Sequence, residues 1–131
     1  MKKNIIEAKK AFDNSYSPYS KFKVGAALEL TNGKIIYGTN VENGSYGLSN
    51  CAERSALFAA YSLGYKKEDI KSLTVIADVD KPISPCGACR QVINELMPND
   101  AKIVLTNLKG DIKETTPNEL LPYAFNLDED E

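Results

Sequence analysis

The sequence predicts an α/β protein, a three-layer α/β/α sandwich in which a five-stranded mixed sheet lies between two layers of helices. Short β-branched and aliphatic runs bounded by turn residues alternate with segments whose apolar residues recur at helical spacing. Helices that connect strands in this way imply a mixed sheet covered by helices. The length of 131 residues and the apolar content of 43% are typical of one compact domain, expected over residues 1–131.

The first half of the chain is predicted to open with an amphipathic helix over Lys3–Phe12, where the apolar spacing is roughly helical. Two strands, 22–30 and 35–41, flank Asn32-Gly33, which is typical of a two-residue hairpin turn between antiparallel strands. The segment 42–50 is rich in Gly, Ser and Asn and shows no period, so we expect a loop there.

The next helix is predicted over Cys51–Leu63, with Asn50 as its N-cap and Gly64 as its C-terminal stop. A short β-branched and aliphatic strand over 73–77 follows. A prolyl loop then leads to Pro85, which is expected to open another helix.

That helix places apolar side chains at i, i+3, i+4 and i+7 from Cys89 and is expected to end at Pro98. Strands over 102–106 and 111–115 are predicted next. Thr116-Pro117-Asn118-Glu119 has the pattern of a capping box with proline at the first helical position. The acidic end of the chain, about 127–131, is expected to be solvated and partly disordered.

The composition excludes several classes of function. Sixteen basic and eighteen acidic residues give a net charge of −2, which does not suit non-specific binding of a phosphate backbone, so no nucleic-acid partner is expected. Neither a signal peptide nor a membrane-spanning run is recognisable, so we expect a cytoplasmic protein with no membrane partner. Because the chain contains no histidine, Ser-His and Cys-His catalysis, the HExxH zinc helix and Cys₂His₂ fingers are excluded.

The three cysteines are the candidate metal ligands. Cys86 and Cys89 are separated by one helical turn, so both sulfurs can contact one ion, and Cys51 at another helix start can complete three ligands. Three protein ligands leave the fourth tetrahedral position to water, as in a catalytic zinc site. We therefore predict one Zn²⁺ per chain.

Glu53 is the candidate proton shuttle, since a carboxylate beside a metal-bound water can take its proton and return it to a leaving nitrogen. Positions i and i+2 of a regular helix diverge, so the site must lie over the helix end if Cys51 and Glu53 are to meet. Arg54 is predicted to offset the negative charge of three thiolates, with Arg90 as a weaker candidate for the same task.

Alternative interpretations exist for each of these features. Glu53 could be the far end of a capping box and bond only the Asn50 amide. The CGAC segment could be a redox dithiol at a helix start, although that leaves Cys51 and Glu53 unexplained. A purely structural zinc in a binding module is a third possibility, and it would require a fourth protein ligand.

CAERSALFAA followed by SPCGACRQVI is similar to the zinc site of the small cytidine deaminases, and SPYSKFKVGAAL, NVENGSYG and LTNLKG extend the resemblance over most of the chain. The resemblance implies a cytidine deaminase-like fold. The implied reaction is attack of zinc-bound hydroxide on C4 of cytidine or 2′-deoxycytidine, which yields the uridine nucleoside and ammonia, with Glu53 as base and then acid. Pyrimidine salvage is the implied process.

The resemblance also implies substrate contacts. Phe22 resembles the aromatic ring that packs on the pyrimidine, and Asn40 and Glu42 look like the pair that hydrogen-bonds the ribose hydroxyls. By the same resemblance, the backbone amide of Ala52 would bind the base and the carbonyl of Ser84 would accept from its amino group.

The family assembles as homotetramers whose sites are shared between subunits, and Tyr46 and Phe125 resemble residues that contact a neighbouring subunit's substrate. The three-cysteine pattern is similar to that of the tetrameric branch. Gly44 departs from the family, which more often has alanine there, and it is expected to loosen the loop without removing a functional group.

Overall fold

The computed structural model describes residues 1–125 and 127, so the predicted acidic tail lies, apart from Leu127, outside the described residues. Four helices and five strands follow one another in the order that the sequence predicts. They are α1 (Lys2–Phe12), β1 (Val24–Leu30), β2 (Ile35–Thr39), α2 (Ala52–Ser62), β3 (Ile70–Ala77), α3 (Gly87–Leu96), β4 (Lys102–Asn107), β5 (Ile112–Thr115) and α4 (Pro117–Leu120).

The five strands form one mixed sheet in the order β2-β1-β3-β4-β5. Strands β3 and β4 are parallel because α3 connects them, whereas every other neighbouring pair is antiparallel. The predicted five-stranded mixed sheet is thus confirmed.

Helices cover both faces of the sheet, which confirms the three-layer prediction. Successive strand residues point to opposite faces, so Ala27 packs with Ala8 and Phe12 of α1, while Ala26 and Leu28 pack in the main core with α2 and α3. This main core holds most of the buried side chains.

The first turn of α2 packs directly against the backbone of β2 at Gly38. A Cβ atom on Gly38 would lie 2.3 Å from the carbonyl oxygen of Ala52, and Ala56 packs against the same point. Only glycine on the strand and small residues on the helix permit such an approach. The contact fixes the first turn of α2, and with it Cys51, over the sheet.

The hairpin between β1 and β2 differs from its prediction. Leu30 N donates to Lys34 O, so the connection has three residues, Thr31 to Gly33, and the predicted two-residue turn is wrong. Gly33 has φ +90°, the left-handed conformation that ends a three-residue hairpin loop.

Several other element boundaries differ from their predicted positions by one to three residues. The predicted N-cap Asn50 is wrong, since Cys51 occupies that position, and Pro85 precedes the N-cap Cys86 instead of opening α3. Strand β3 begins at Ile70, three residues before its prediction. The prediction began later because the charged and exposed Lys71 interrupts the apolar run in the sequence. The capping box at Thr116 is confirmed, as its hydroxyl accepts from Glu119 N.

Over the described part of the chain, every helix is too short or too polar to cross a bilayer.

Candidate active site

The three cysteines converge at the amino ends of α2 and α3. Cys51 and Cys86 are the N-cap residues of the two helices, and Cys89 lies one turn into α3. Their sulfurs lie within 4.8 Å of one another, with Cys51 Sγ 3.9 Å from Cys86 Sγ. Three sulfurs bound tetrahedrally at about 2.3 Å from a zinc ion would be spaced by about 3.8 Å, so the cluster fits this metal.

Hydrogen-bond donors contact two of the three sulfurs. Arg54 Nη2 donates to Cys51 Sγ at 3.2 Å, as the sequence predicts, and the backbone amide of Cys89 donates to Cys86 Sγ at 3.5 Å. Donors of this kind stabilise thiolates, which are the form that binds metal.

The pKa values of Cys51 and Cys89 are shifted in opposite directions. A hydrogen bond from the Cys89 thiol, followed by the Arg54 guanidinium, lowers the pKa of Cys51 to about 5. The same hydrogen bond, together with burial, raises the pKa of Cys89. A divalent cation would replace the proton of the Cys89 thiol and neutralise charge among three crowded sulfurs.

Glu53 reaches the same site because Cys51 is not part of the helix. Cys51 has extended dihedrals, φ −86° and ψ 157°, so the divergence of i and i+2 in a regular helix does not apply to it. Glu53 is only 4% exposed, and burial raises the pKa of its carboxyl group.

The capping-box interpretation of Glu53 is wrong. Asn50 N donates to Val41 O at 3.0 Å, so the amide that Glu53 would cap already has a partner. The carboxyl group is therefore available for another task beside the cysteines.

A cleft of about 160 Å³ opens over the cysteine cluster. It brings together four of the predicted substrate contacts, Phe22, Asn40, Ala52 and Ser84, with the predicted proton shuttle. Its lining residues are Phe22, Val24, Asn40, Cys51, Ala52, Glu53, Ile83, Ser84 and Cys86.

Asn40 is buried and its amide orientation is fixed by the backbone. Its Oδ1 accepts from Val24 N at 2.9 Å, and its Nδ2 donates to Phe22 O at 2.6 Å. Ser15 Oγ also donates to Oδ1. The remaining Nδ2 hydrogen is left as a donor at the cleft wall.

Glu42 and Tyr46 lie in a neighbouring cleft of about 290 Å³, not in the cleft over the cysteines. Glu42 Oε1 accepts from the backbone amides of Tyr19 and Ser20, each at 3.1 Å. A further hydrogen bond from the Ser20 hydroxyl is the main reason that the pKa of Glu42 is lowered. Tyr46 is 79% exposed.

Phe125 lies in a third cleft, beside Tyr123, and is 59% exposed. Within one chain, therefore, neither it nor Tyr46 lies at the cysteine cluster. Both side chains were predicted to act across a subunit interface, and that role stays a prediction.

Arg90 does not compensate the thiolates, and that prediction is wrong. Its guanidinium donates to three oxygens: Nε to Pro85 O at 2.9 Å, Nη1 to Leu120 O at 3.0 Å and Nη2 to Ser84 Oγ at 2.7 Å. The side chain thus points to the loop before α3 and to the end of α4.

Several residues at the site were not identified from the sequence. Val24 and Ile83 line the cleft, and Ser15 bonds the Asn40 side chain. Val24 and Ile83 have the pattern of ordinary core residues. The backbone amides that bind Glu42 could not be identified from the sequence, because a backbone amide does not depend on the type of side chain.

The geometry argues against both alternative interpretations of the cysteines. A redox dithiol would need only Cys86 and Cys89, whereas Cys51 Sγ also lies within 4.8 Å of both sulfurs. Among the described residues, the metal-ligand cluster at this position consists of the three cysteines alone, so a closed four-ligand structural site is not formed.

Comparison with known proteins agrees with this geometry. The sequence model for the "Cytidine and deoxycytidylate deaminase zinc-binding region" matches residues 2–106. The cytidine deaminase of Halalkalibacterium halodurans is 54% identical over 95% of this chain and 93% of its own length. That of Sporosarcina psychrophila is 52% identical over 98% of this chain and 93% of its own length.

The fold comparison gives the same result. The crystal structure of cytidine deaminase from Burkholderia pseudomallei superposes with a TM-score of 0.93 at 50% identity and covers 95% of this chain and 98% of its own. The matched zinc-binding region contains Cys51, Cys86, Cys89 and Glu53. The chain therefore belongs to the family of zinc-dependent cytidine and deoxycytidylate deaminases.

Proposed function

We propose that this chain hydrolyses cytidine and 2′-deoxycytidine to uridine and 2′-deoxyuridine with release of ammonia. The observation that carries the proposal is a buried carboxyl group, Glu53, in the same cleft as a three-sulfur cluster of zinc-like spacing. Pyrimidine salvage in the cytoplasm is the process that such an activity serves.

Cys51, Cys86 and Cys89 would hold one Zn²⁺. When bound, zinc supplies a Lewis acid that makes water nucleophilic near neutral pH, and three protein ligands leave it one open position. Arg54 offsets part of the negative charge of the thiolates through its hydrogen bond to Cys51.

Glu53 is proposed to take a proton from the attacking water and to return it to the amino group that leaves. A carboxyl group acts in both directions most efficiently when its pKa is close to the working pH. Burial raises the pKa of Glu53 toward that range, which supports this role.

The walls of the cleft are proposed to position the nucleoside. Phe22 would pack on the pyrimidine and the Asn40 amide would donate to a ribose hydroxyl, while Glu42 would accept from a ribose hydroxyl that extends into the neighbouring cleft. Ala52 is the first residue of α2, so its N–H has no acceptor within the helix and is available to a base oxygen. The Ser84 carbonyl would accept from the amino group of the base.

The active form is proposed to be a homotetramer in which Tyr46 and Phe125 contact substrate bound by a neighbouring subunit. Their high exposure in the single chain supports this assignment. Light scattering on the purified protein is expected to give about four times the 14.4 kDa chain mass. A monomer that turns over cytidine at full rate would contradict the shared site.

The substrate class can be tested by following ultraviolet absorbance and ammonia release with cytidine, 2′-deoxycytidine, cytidine monophosphate and a cytosine-containing oligonucleotide. We expect turnover of both nucleosides with no need for phosphate, since the net charge of −2 does not favour binding of a phosphate backbone. Turnover of the oligonucleotide with inert nucleosides would overturn the proposal.

A further inference from the structure

Arg90 connects three parts of the chain beside the cleft, and it bonds the cleft residue Ser84 without itself lining the cleft. Its Nη2 donates to Ser84 Oγ, its Nε to the carbonyl of Pro85, and its Nη1 to the carbonyl of Leu120 at the end of α4. The three distances, 2.7, 2.9 and 3.0 Å, are those of well-formed hydrogen bonds from a charged donor.

The segment that Arg90 contacts is attached through its earlier residues, since Val79 and Ile83 pack on the main core and Lys109 Nζ donates to Asp80 Oδ1 at 3.0 Å. Residues 78–86 belong to no helix or strand, and Ser84 is exposed. The preceding residue, Ile83, is attached to β4 by a backbone bond to Thr106 O at 3.4 Å. Ser84 therefore lies between one long backbone contact and the Arg90 guanidinium.

We propose that Arg90 is a positioning residue for base recognition: it holds the Ser84 carbonyl where that oxygen accepts from the amino group of the base. This inference rests on the proposed function. A planar guanidinium can direct several hydrogen bonds at fixed angles, whereas a lysine ammonium cannot reproduce this arrangement. The role is thus specific to arginine.

Metal binding should not depend on the Arg90 side chain. Cys86 remains held at the helix start by two backbone donors, Cys89 N to Cys86 Sγ and Arg90 N to Cys86 O. Both survive replacement of the side chain. Loss of the guanidinium should therefore affect recognition of the amino group and leave the cluster intact.

The test compares cytidine with uridine as ligands of the full-length protein. Uridine carries a carbonyl oxygen where cytidine carries the amino group, so it makes no hydrogen bond to the Ser84 carbonyl. For Arg90→Gln we expect KM for cytidine to rise about tenfold, which corresponds to one hydrogen bond. The inhibition constant of uridine should change less than about threefold, and zinc should stay at one per chain.

Three further variants complete the design. Arg90→Lys should behave like Arg90→Gln, and Lys113→Gln, which removes an exposed charge elsewhere, should match the wild type. Ser84→Ala keeps the carbonyl but removes the Nη2 acceptor, so KM for cytidine should rise by a smaller factor. When Ser84→Ala is combined with Arg90→Gln, KM for cytidine should not rise above its value in Arg90→Gln alone, because the two residues act through one contact.

Equal increases for cytidine and uridine, or loss of zinc, would overturn the inference and make Arg90 a general structural residue. If Arg90→Gln fails to fold, an unchanged KM in Ser84→Ala would overturn it as well. A zinc-loaded wild type that does not turn over cytidine would instead overturn the proposed function itself.

Discussion

Cys51 and Glu53 meet at one cleft because Cys51 precedes α2 and has extended dihedrals. The thiol can therefore point toward Cys86 and Cys89, while Glu53, in the first turn of the helix, points into the same space. A cysteine placed one residue further along would follow the helical rotation and leave the cluster. The N-cap position is thus what allows a metal ligand and a proton shuttle to be two residues apart.

Arg54 should tune the reaction through charge. Removing its guanidinium leaves more net negative charge around the site, which makes loss of a proton there harder. For Arg54→Gln we expect kcat to fall about 10–100-fold and the acidic limb of the kcat profile to move to higher pH.

Arg54→Lys serves as the control, since it keeps the charge but loses the planar donor, and it should recover part of the activity without the shift in pH. An Arg54→Gln enzyme with the wild-type rate and profile would exclude charge compensation.

At the scale of elements, the contact between α2 and β2 determines where the site lies. Gly38 leaves no space for a side chain, because its Cβ would lie 2.3 Å from Ala52 O and 2.6 Å from Ala56 N. Both atoms belong to the backbone of α2 and cannot rotate away. Several alanines in this helix are typical of close packing, but the sequence gives no sign that Gly38 is their partner.

We expect Gly38→Ala to push the start of α2 off the sheet. The free energy of unfolding should fall by about 1–3 kcal/mol, and turnover should fall with it because Cys51 and Glu53 move with the helix. Gly47→Ala is the matched control, since a Cβ there meets nothing within 4 Å. Denaturant unfolding and cytidine turnover measure both effects, and equal behaviour of the two variants would contradict this account.

Helix α1 is joined to β1, on the face of the sheet away from α2, by a partly buried polar contact. Asn4 Nδ2 donates to Glu29 Oε1 at 2.9 Å, and this bond is the main reason that the pKa of Glu29 is lowered. A pKa that is lower in the folded state adds stability above the unfolded-state pKa, near 4.3 for glutamate, and this stability is lost as pH falls.

Glu29→Gln should therefore cost stability at pH 7 and less at an acidic pH below the unfolded-state pKa, where the stability that the ionised carboxylate contributes is being lost. Denaturant unfolding at the two pH values gives this difference, and zinc release in acid affects both proteins alike. A loss that is equal at both pH values would mean that ionisation of Glu29 does not support the helix.

For the molecule as a whole, the pattern of apolar residues predicted the order of the elements and the three layers. It could not predict the three-residue hairpin loop, because Asn32-Gly33 suits loops of two or three residues and the choice depends on strand twist. At the site, residue types and spacing identified the cysteines, Glu53 and Arg54. The contacts of Arg90 were not predictable, since two of the three acceptors are backbone oxygens and one of these, Leu120 O, is thirty positions away.

Within one chain, Glu42, Tyr46 and Phe125 do not line the cleft over the cysteines. They line two other clefts, so the substrate contacts that the resemblance implies for them are not assembled at the cysteine cluster. For Tyr46 and Phe125 a neighbouring copy would have to supply the contact. Their assignment stays a prediction that depends on the proposed tetramer.

The most direct test is metal content and cytidine turnover measured together on the wild type and on Glu53→Gln. The amide has nearly the shape of the carboxyl group but cannot carry a proton back and forth. We predict one zinc per chain in both proteins and a loss of turnover of about 10²–10⁴-fold in the variant. A variant that loses its zinc together with its activity, or that retains most of its turnover, would contradict the account.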